Sequence, residues 1–278
     1  MMFSPIRPLL LIGVSAFFFA ACSSIPQAVE TQEEHLATAA TISAEQRWDA
    51  MVAENFRRRP RILSNPGVDY WEAKDELPNV LIYGDSISIA YTQQVRSELS
   101  GMANVLRLPA NGSHSGDIIE KLKDMHAGMK DPTLSDPWDF EWDIIYFNAG
   151  LHDLKYVASG KLDKENGELV NTPDAYKRNL RAAIAYMREI APNAQLIFAT
   201  TTPVPEGEPG RFVLDVPVYN EAAISVVGTA GIPVHDLYAF TLPSLDEWII
   251  GPGNVHYKEY AAKAQGTEVA NYIKRFLE

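Results

Sequence analysis

Short apolar runs that alternate with helical stretches constrain the fold of this chain more than any other feature. Strand candidates begin at Val80, Asn104, Asp143, Ala194 and Ile232, and most are continuously apolar rather than alternating with polar residues. Continuous apolar strands separated by helices are typical of a parallel sheet that is covered on both faces. We therefore expect an α/β domain with five parallel strands, over 80–83, 104–108, 143–147, 194–200 and 232–235.

Helices are predicted between these strands from apolar spacing and from capping residues. Ser43 suits the N-cap of a helix over 43–59, because Gln46 lies three residues on and completes a capping box. Pro173 suits the first turn of a helix over 173–190. Further helices are predicted from Ser86 to about Leu99, from about Asp117, over 217–229 and over 257–277.

The first 21 residues have the pattern of a secretory signal peptide. Arg7 precedes an apolar run from Leu9 to Ala21, which ends in small residues and is too short for a comfortable membrane span. The segment Phe19 to Cys22 resembles the bacterial lipobox, which implies a lipidated N-terminal Cys22; an ordinary signal peptide is the alternative. A cell-envelope lipoprotein, on the periplasmic or surface side of an outer membrane, is therefore expected.

The remaining chain divides by composition into three parts. Residues 22–45 are rich in Ala, Thr, Gln and Glu and are predicted to be a tether from the lipid anchor. Residues 46–78 are predicted to form an N-terminal helix and an irregular entry segment, and 79–278 the α/β domain. The formal charge of −12 disfavours nucleic acid as a partner, and polyanionic substrates in general unless a local basic pocket overrides it.

Polar loops follow three of the predicted strands, at the edge where functional loops of open α/β sheets meet. A Ser at the start of a helix lies beside free backbone N–H groups, which can stabilise an oxyanion when that Ser attacks a carbonyl. The candidate loops contain Gly84, Asp85 and Ser86; Asn111, Gly112, Ser113, His114 and Ser115; Asn148, Gly150, His152 and Asp153; and, before the last helix, His256.

Ser86 and His256 are the best candidates for a nucleophile and its general base. A serine hydroxyl needs a base, and His256 lies on a loop that can return to the carboxyl ends of the strands. His35 falls in the tether, His126 within a helix, and His235 at a strand end where it is expected to be partly buried. The alternatives are a helix N-cap for Ser86 and a helix-capping histidine for His256.

These loops resemble the sequence blocks of the SGNH (GDSL) hydrolases. The segment from Gly84 to Ser88 matches the block with the nucleophilic Ser, and 150–153 (GLHD) matches the third block. Asn111-Gly112 falls where the family supplies an oxyanion-hole N–H, and His256 where it supplies the base. The resemblance implies a flavodoxin-like three-layer α/β/α sandwich with a five-stranded parallel sheet, and an oxyanion hole from Ser86, Gly112, His152 and Asn148.

The chain departs from the family pattern in three places. His152 stands where a donor Asn is usual, and Ser113 where the second block often has an extra glycine. Gly253 stands where an Asp usually orients the catalytic His. Asn254, a backbone carbonyl or a more distant acid are then the candidates to orient His256, and the acids considered are Asp236, Asp246 and Glu247.

The predicted function is an ester hydrolase without a cofactor or metal, acting on a small-molecule or glycan ester. By family analogy the substrate is an O-acetylated carbohydrate. The alternatives are a lysophospholipase or thioesterase of the same family, or a catalytically weak, lipid-anchored binding protein. A metal enzyme and a nucleotide-binding protein are disfavoured, because neither a His-Glu-x-x-His motif nor a dinucleotide fingerprint is present. Aromatic residues that could stack on sugars, but for which packing is favoured, are Tyr70, Trp71, Trp138 and Trp142.

Overall fold

A computed structural model describes residues 41–277 of the chain. The predicted signal peptide, Cys22 and most of the tether lie outside the described residues. The main sheet has five parallel strands, which confirms the predicted sheet. These strands are β1 (Asn79–Tyr83), β2 (Asn104–Arg107), β3 (Ile144–Phe147), β7 (Gln195–Ala199) and β8 (Val234–His235). Their order in the sheet is β2-β1-β3-β7-β8.

Helices cover both faces of this sheet. The helices are α1 (Ala44–Phe56), α2 (Pro60–Leu63), α3 (Ser86–Glu98), α4 (Ile118–Met129), α5 (Pro173–Ile190), α6 (Asp215–Thr229), α7 (Leu237–Thr241), α8 (Leu245–Trp248) and α9 (Glu259–Lys274). On one face α3 packs against α9, and on the other α5 packs against α6 and α4, so the three-layer α/β/α fold is confirmed. Most strand residues between the two helix layers are buried.

Strand register brings the polar loops to one edge of the sheet. Tyr83 at the end of β1 is paired with Phe147 at the end of β3, and Phe147 is paired with Phe198 on β7. All three side chains are fully buried. The residues that follow β1 and β3 therefore emerge side by side.

A second, three-stranded antiparallel sheet was not predicted. It has the order β5-β4-β6 and consists of β4 (Tyr156–Ala158), β5 (Lys161–Leu162) and β6 (Glu168–Leu169). Two backbone hydrogen bonds, from the N–H groups of Tyr156 and Lys164, join it to the loop at 209–210. Strands of two or three partly exposed residues carry too little apolar patterning to be read from the sequence.

The N-terminal helix packs on the domain through an aromatic cluster. Ser43 and Gln46 form the predicted capping box, and α1 begins at Ala44, two residues before the predicted boundary of the tether. Trp48 is buried and donates from Nε1 to the Val68 carbonyl. Trp138 and Trp142 are buried in the same cluster and Trp71 stacks beneath the Arg96 guanidinium, which favours packing over sugar stacking. Within 41–277, no helix has the length and apolar character needed to cross a membrane.

Candidate active site

Ser86 is the first residue of α3, directly after the turn that leaves β1. Asp85 precedes it as the N-cap, and its Oδ1 accepts from the Ile87 N–H at 2.9 Å. Capping by Asp85 leaves the hydroxyl of Ser86 free to face the cleft. The N–H groups of the first helical turn have no acceptor within the helix, so the N–H of Ser86 is available to a ligand.

A buried arginine holds the turn at residues 84–86 in place. Arg107, at the end of β2, is fully buried and donates to the Gly84 carbonyl at 2.9 Å and to the Ala110 carbonyl at 2.8 Å. It also donates to the Ser88 hydroxyl at 2.9 Å. Burial lowers the pKa of Arg107 to about 10, so it remains charged at neutral pH. Hydrogen bonds from a buried charge are strong, which makes this turn rigid.

His256 lies within hydrogen-bond distance of Ser86. Its Nε2 is 3.0 Å from Ser86 Oγ, and its Nδ1 is 2.9 Å from Asn254 Oδ1. The same Asn254 oxygen accepts from the His256 backbone N–H at 2.9 Å, and a backbone N–H can only donate. This bond fixes which amide atom faces the ring. The hydrogen of neutral His256 therefore lies on Nδ1, and Nε2 is free to accept the Ser86 proton.

The structure contains no local carboxylate that orients His256. Among residues 41–277, no carboxylate oxygen lies within 4.0 Å of its ring nitrogens, so Asp246, Glu247 and Asp236 do not occupy that position. Asp236 instead caps α7 and accepts from Thr200 Oγ1. Desolvation lowers the pKa of His256, and the charge of Asp85 opposes this shift.

His152, at the family's usual Asn position, faces the cleft as a neutral donor. The Lys155 ammonium donates to its Nδ1 at 3.1 Å, which places the ring hydrogen on Nε2. Burial, followed by the charges of Lys155 and Arg211, lowers the pKa of His152 to about 3. Lys155 is a residue that sequence reasoning missed, although its position three residues after His152 was a usable signal.

Two of the four predicted oxyanion-hole donors point elsewhere. The Gly112 N–H donates to the Gly84 carbonyl at 2.9 Å, so it holds two loops together rather than facing the cleft. The Asn148 amide donates to the Ala199 carbonyl at 2.7 Å, at the end of the neighbouring strand. Asn111 lines the cleft instead; its Oδ1 accepts from the Ser113 N–H, which leaves its amide nitrogen as a donor.

Ser113 and Asp153 fix the second and third loops. Ser113 has a φ of 56°, in the left-handed region, which explains why glycine is usual there. Asp153 is fully buried and accepts from the Ser115 N–H at 3.0 Å and from Asn171 Nδ2 at 2.7 Å. Burial raises the pKa of Asp153 despite these bonds. Its carboxyl group therefore joins three loops and makes no hydrogen bond with Ser86.

A cleft of about 760 Å³ lies over Ser86 and His256. The N-terminal segment, α4, the small sheet and the loop at 208–211 form its other walls. Its charged lining residues are the cations Arg59, Lys121, Lys155, Lys161 and Arg211 and one acid, Glu208. Within the described part of the chain, no group of three or more His, Cys, Asp or Glu is placed to hold a metal ion.

Comparison with known proteins identifies the family. The model of the GDSL-like lipase/acylhydrolase family matches residues 82–263, which include Ser86 and His256. A lipase/acylhydrolase from Enterococcus faecalis is 17% identical, with a TM-score of 0.52 over 71% of this chain and 96% of that one. The acetyl xylan esterase AlAXEase is 16% identical, with a TM-score of 0.53 over 70% of this chain and 99% of that one. No curated protein matched the sequence.

The family match and the solved structures agree with the geometry of the site. A serine at the start of α3 and a histidine before α9 meet at the carboxyl edge of a five-stranded parallel sheet. The matched segment spans more than half of the chain and contains the polar loops of the cleft. The chain therefore belongs to the GDSL-like lipase/acylhydrolase family, the SGNH hydrolases, and is an enzyme that acts on ester bonds.

Proposed function

We propose that the protein hydrolyses acyl esters with Ser86 as nucleophile and His256 as general base, and that its substrates are O-acetylated carbohydrates. The observation that carries the catalytic assignment is the 3.0 Å contact between Ser86 Oγ and His256 Nε2. Asn254 sets the ring tautomer that makes Nε2 an acceptor. A nucleophile beside an oriented base is the arrangement that activates a serine hydroxyl.

The proposed reaction has two steps. Ser86 Oγ attacks the acyl carbon while its proton moves to His256 Nε2, and the negative charge develops on the former carbonyl oxygen. The imidazolium then gives that proton to the leaving alkoxide, and the acyl group stays on Ser86. In the second step His256 takes a proton from water, the hydroxide attacks the acyl carbon, and Ser86 leaves with the proton returned by His256.

The oxyanion formed in each step needs donors on the cleft side. The groups that support this role are the Ser86 N–H, His152 Nε2–H and the amide of Asn111. His152 remains neutral because the pKa of His152 is lowered to about 3. A neutral imidazole donates its hydrogen bond without losing a proton, and preorganised donors of this kind supply a large share of catalysis.

Asn254 suits ester hydrolysis better than amide hydrolysis. Its amide oxygen orients His256 but, unlike a carboxylate, carries no charge that stabilises the imidazolium. An ester releases an alkoxide, which is a better leaving group than an amine anion, so a weaker base suffices. A small acyl group such as acetyl is supported by the space next to Ser86: the described residues form an open cleft there, and the neighbouring small cavity, with a largely polar lining, measures only about 10 Å³.

Turnover of p-nitrophenyl esters tests this assignment. We expect wild type to hydrolyse the acetate faster than the octanoate, and Ser86→Ala to lose at least about a thousandfold in kcat. Ser225→Ala, an exposed serine on α6, is the matched control and should retain wild-type rates. Equal turnover by wild type and Ser86→Ala would refute the nucleophile, and a preference for octanoate would favour a lysophospholipase or thioesterase.

Attachment to a membrane through Cys22 is part of the same proposal and is supported by the sequence from Phe19 to Cys22. The expected location is the cell envelope, as an outer-membrane lipoprotein. Because Cys22 is the single cysteine of the chain, labelling is unambiguous. Expression in a Gram-negative host with a clickable palmitate analogue should label wild type and not Cys22→Ala. An unlabelled wild type that is nonetheless exported would indicate an ordinary signal peptide.

A further inference from the structure

The cleft over Ser86 is basic although the protein is acidic. Five cationic side chains and one carboxylate line it, whereas the whole chain has a formal charge of −12. That carboxylate, Glu208, is bound by Arg211, so it does not offset the other cations. A low-dielectric cleft lined by one sign of charge concentrates ligands of the opposite sign.

Arg211 is a buried cation that faces this cleft with part of its guanidinium unused. It is 5% exposed, donates from Nε to the Leu151 carbonyl at 2.6 Å, and binds Glu208 through one terminal nitrogen. Among residues 41–277, its second terminal nitrogen has no hydrogen-bond partner. The Gly210 N–H donates to the Glu208 carboxylate at 2.7 Å, and this bond helps to fix the position of the Arg211 guanidinium.

Arg59 lines the same cleft and belongs to the N-terminal segment. It follows α1, before the segment that matches the family model, and within the described residues it has no acidic partner within 4.0 Å. Its charge and that of Arg211 both lower the pKa of His256, after the larger effect of desolvation. Both cations therefore act at the position of the catalytic base. Lys155, in contrast, is engaged with His152.

We propose that the cleft binds the anionic group of an acidic sugar ester, with Arg211 and Arg59 as its contacts. The group is a carboxylate or sulfate on the sugar that carries the acyl ester, and this assignment rests on the proposed function. A guanidinium N–H forms a charge-assisted hydrogen bond with a carboxylate or sulfate oxygen, and Arg211 offers its second terminal nitrogen for such a bond. A sugar ring suits this open cleft, whose lining mixes polar and apolar side chains.

A matched pair of substrates isolates the effect of the charge. O-acetylated galacturonan oligosaccharides are compared with the same oligosaccharides after methyl esterification of their carboxylates, and acetate release is measured. We expect wild type to have at least about tenfold higher kcat/KM for the free acid. The preference should shrink when ionic strength rises from about 0.02 M to about 0.5 M, because the Debye length becomes shorter.

Two neighbouring arginines provide a matched pair of variants. Arg59→Gln should reduce the preference for the free acid about three- to tenfold, through a higher KM. Arg58→Gln removes the same charge from an exposed residue outside the cleft lining and should keep the wild-type preference. Arg211→Gln should reduce the preference for the free acid further than Arg59→Gln does. Because Arg211 is buried, the melting temperature of this variant is measured as a control for folding.

The outcomes separate this inference from the proposed function. Equal kcat/KM for the free acid and its methyl ester in wild type would overturn the inference, whereas the rates with p-nitrophenyl acetate would still test Ser86. An equal loss of the preference for the free acid in Arg58→Gln and Arg59→Gln would also overturn the inference. The preference would then depend on the net charge of the protein and not on a contact made by Arg59. Faster hydrolysis of lysophosphatidic acid than of both oligosaccharides would replace the sugar by a phosphate-bearing lipid.

Discussion

Asn254 orients His256 through one oxygen that accepts two hydrogen bonds, from the backbone N–H and from Nδ1. We expect Asn254→Ala to lower kcat/KM by roughly ten- to a hundredfold, because the ring loses its fixed tautomer. Asn254→Asp should keep activity and raise the pKa of His256, since a carboxylate favours the imidazolium. The acid limb of the pH–rate profile, which lies below pH 6.5 in wild type because that pKa is lowered, should then move to higher pH.

His152 is expected to act as a neutral oxyanion donor. Removing such a donor in His152→Ala should cost about a hundred- to a thousandfold in kcat with little change in KM. His152→Asn restores the residue usual in the family and should recover most of the loss. Steady-state kinetics with p-nitrophenyl acetate measure both effects, and a wild-type kcat in His152→Ala would exclude this role.

Sequence patterns predicted well which residues lie close together in the structure. They predicted less well which atoms of those residues face the cleft. The structure brings together Ser86, His256, Asn254 and His152, whose catalytic roles stay predictions. Gly112 and Asn148 lie at the same edge, but their donors bind neighbouring carbonyls. Side-chain and N–H directions depend on loop packing, which residue order along the chain does not reveal.

At the scale of elements, two glycines are expected to respond in opposite ways to the same substitution. A Cβ on Gly112 would lie 2.7 Å from the Gly84 carbonyl oxygen, so Gly112→Ala should push the loop around Gly112 away from the turn at residues 84–86. We expect a loss of about 1–3 kcal/mol in the free energy of unfolding, together with lower activity. Gly228→Ala, inside α6 with open space around its Cβ, should gain about 0.4–1 kcal/mol. Urea unfolding measures the free energy of unfolding of both variants. Equal changes in the two variants would contradict the close contact assigned to Gly112.

The five strands of the main sheet were predictable because most of their residues are buried and apolar. The small sheet and the loop at 208–211 were not predictable, because their residues are mixed in polarity and are held by backbone hydrogen bonds between distant segments. These elements supply Lys161 and Arg211 to the cleft. The basic lining therefore comes from segments that no local motif connects.

For the whole molecule, a partly buried histidine makes stability depend on pH. Burial lowers the pKa of His126 to about 4, and its Nε2 accepts from Trp142 Nε1 at 3.0 Å. Between pH 6.5 and 4 the unfolded chain therefore binds more protons at this site, so its contribution to stability falls as the pH falls. From pH 7 to pH 5, the advantage of wild type over His126→Gln should shrink by roughly 2 kcal/mol, as measured by urea unfolding. A constant difference would show that His126 is not buried in its neutral form.

The most direct test of the central claim is covalent labelling of the intact protein by a fluorophosphonate, followed by peptide mass mapping. An activated serine is phosphonylated, whereas an unactivated one is not. We predict a single adduct on Ser86 in wild type, its absence in Ser86→Ala, and a labelling rate lowered by at least about a hundredfold in His256→Ala. An unlabelled Ser86, or labelling at the same rate without His256, would contradict the proposed nucleophile and base.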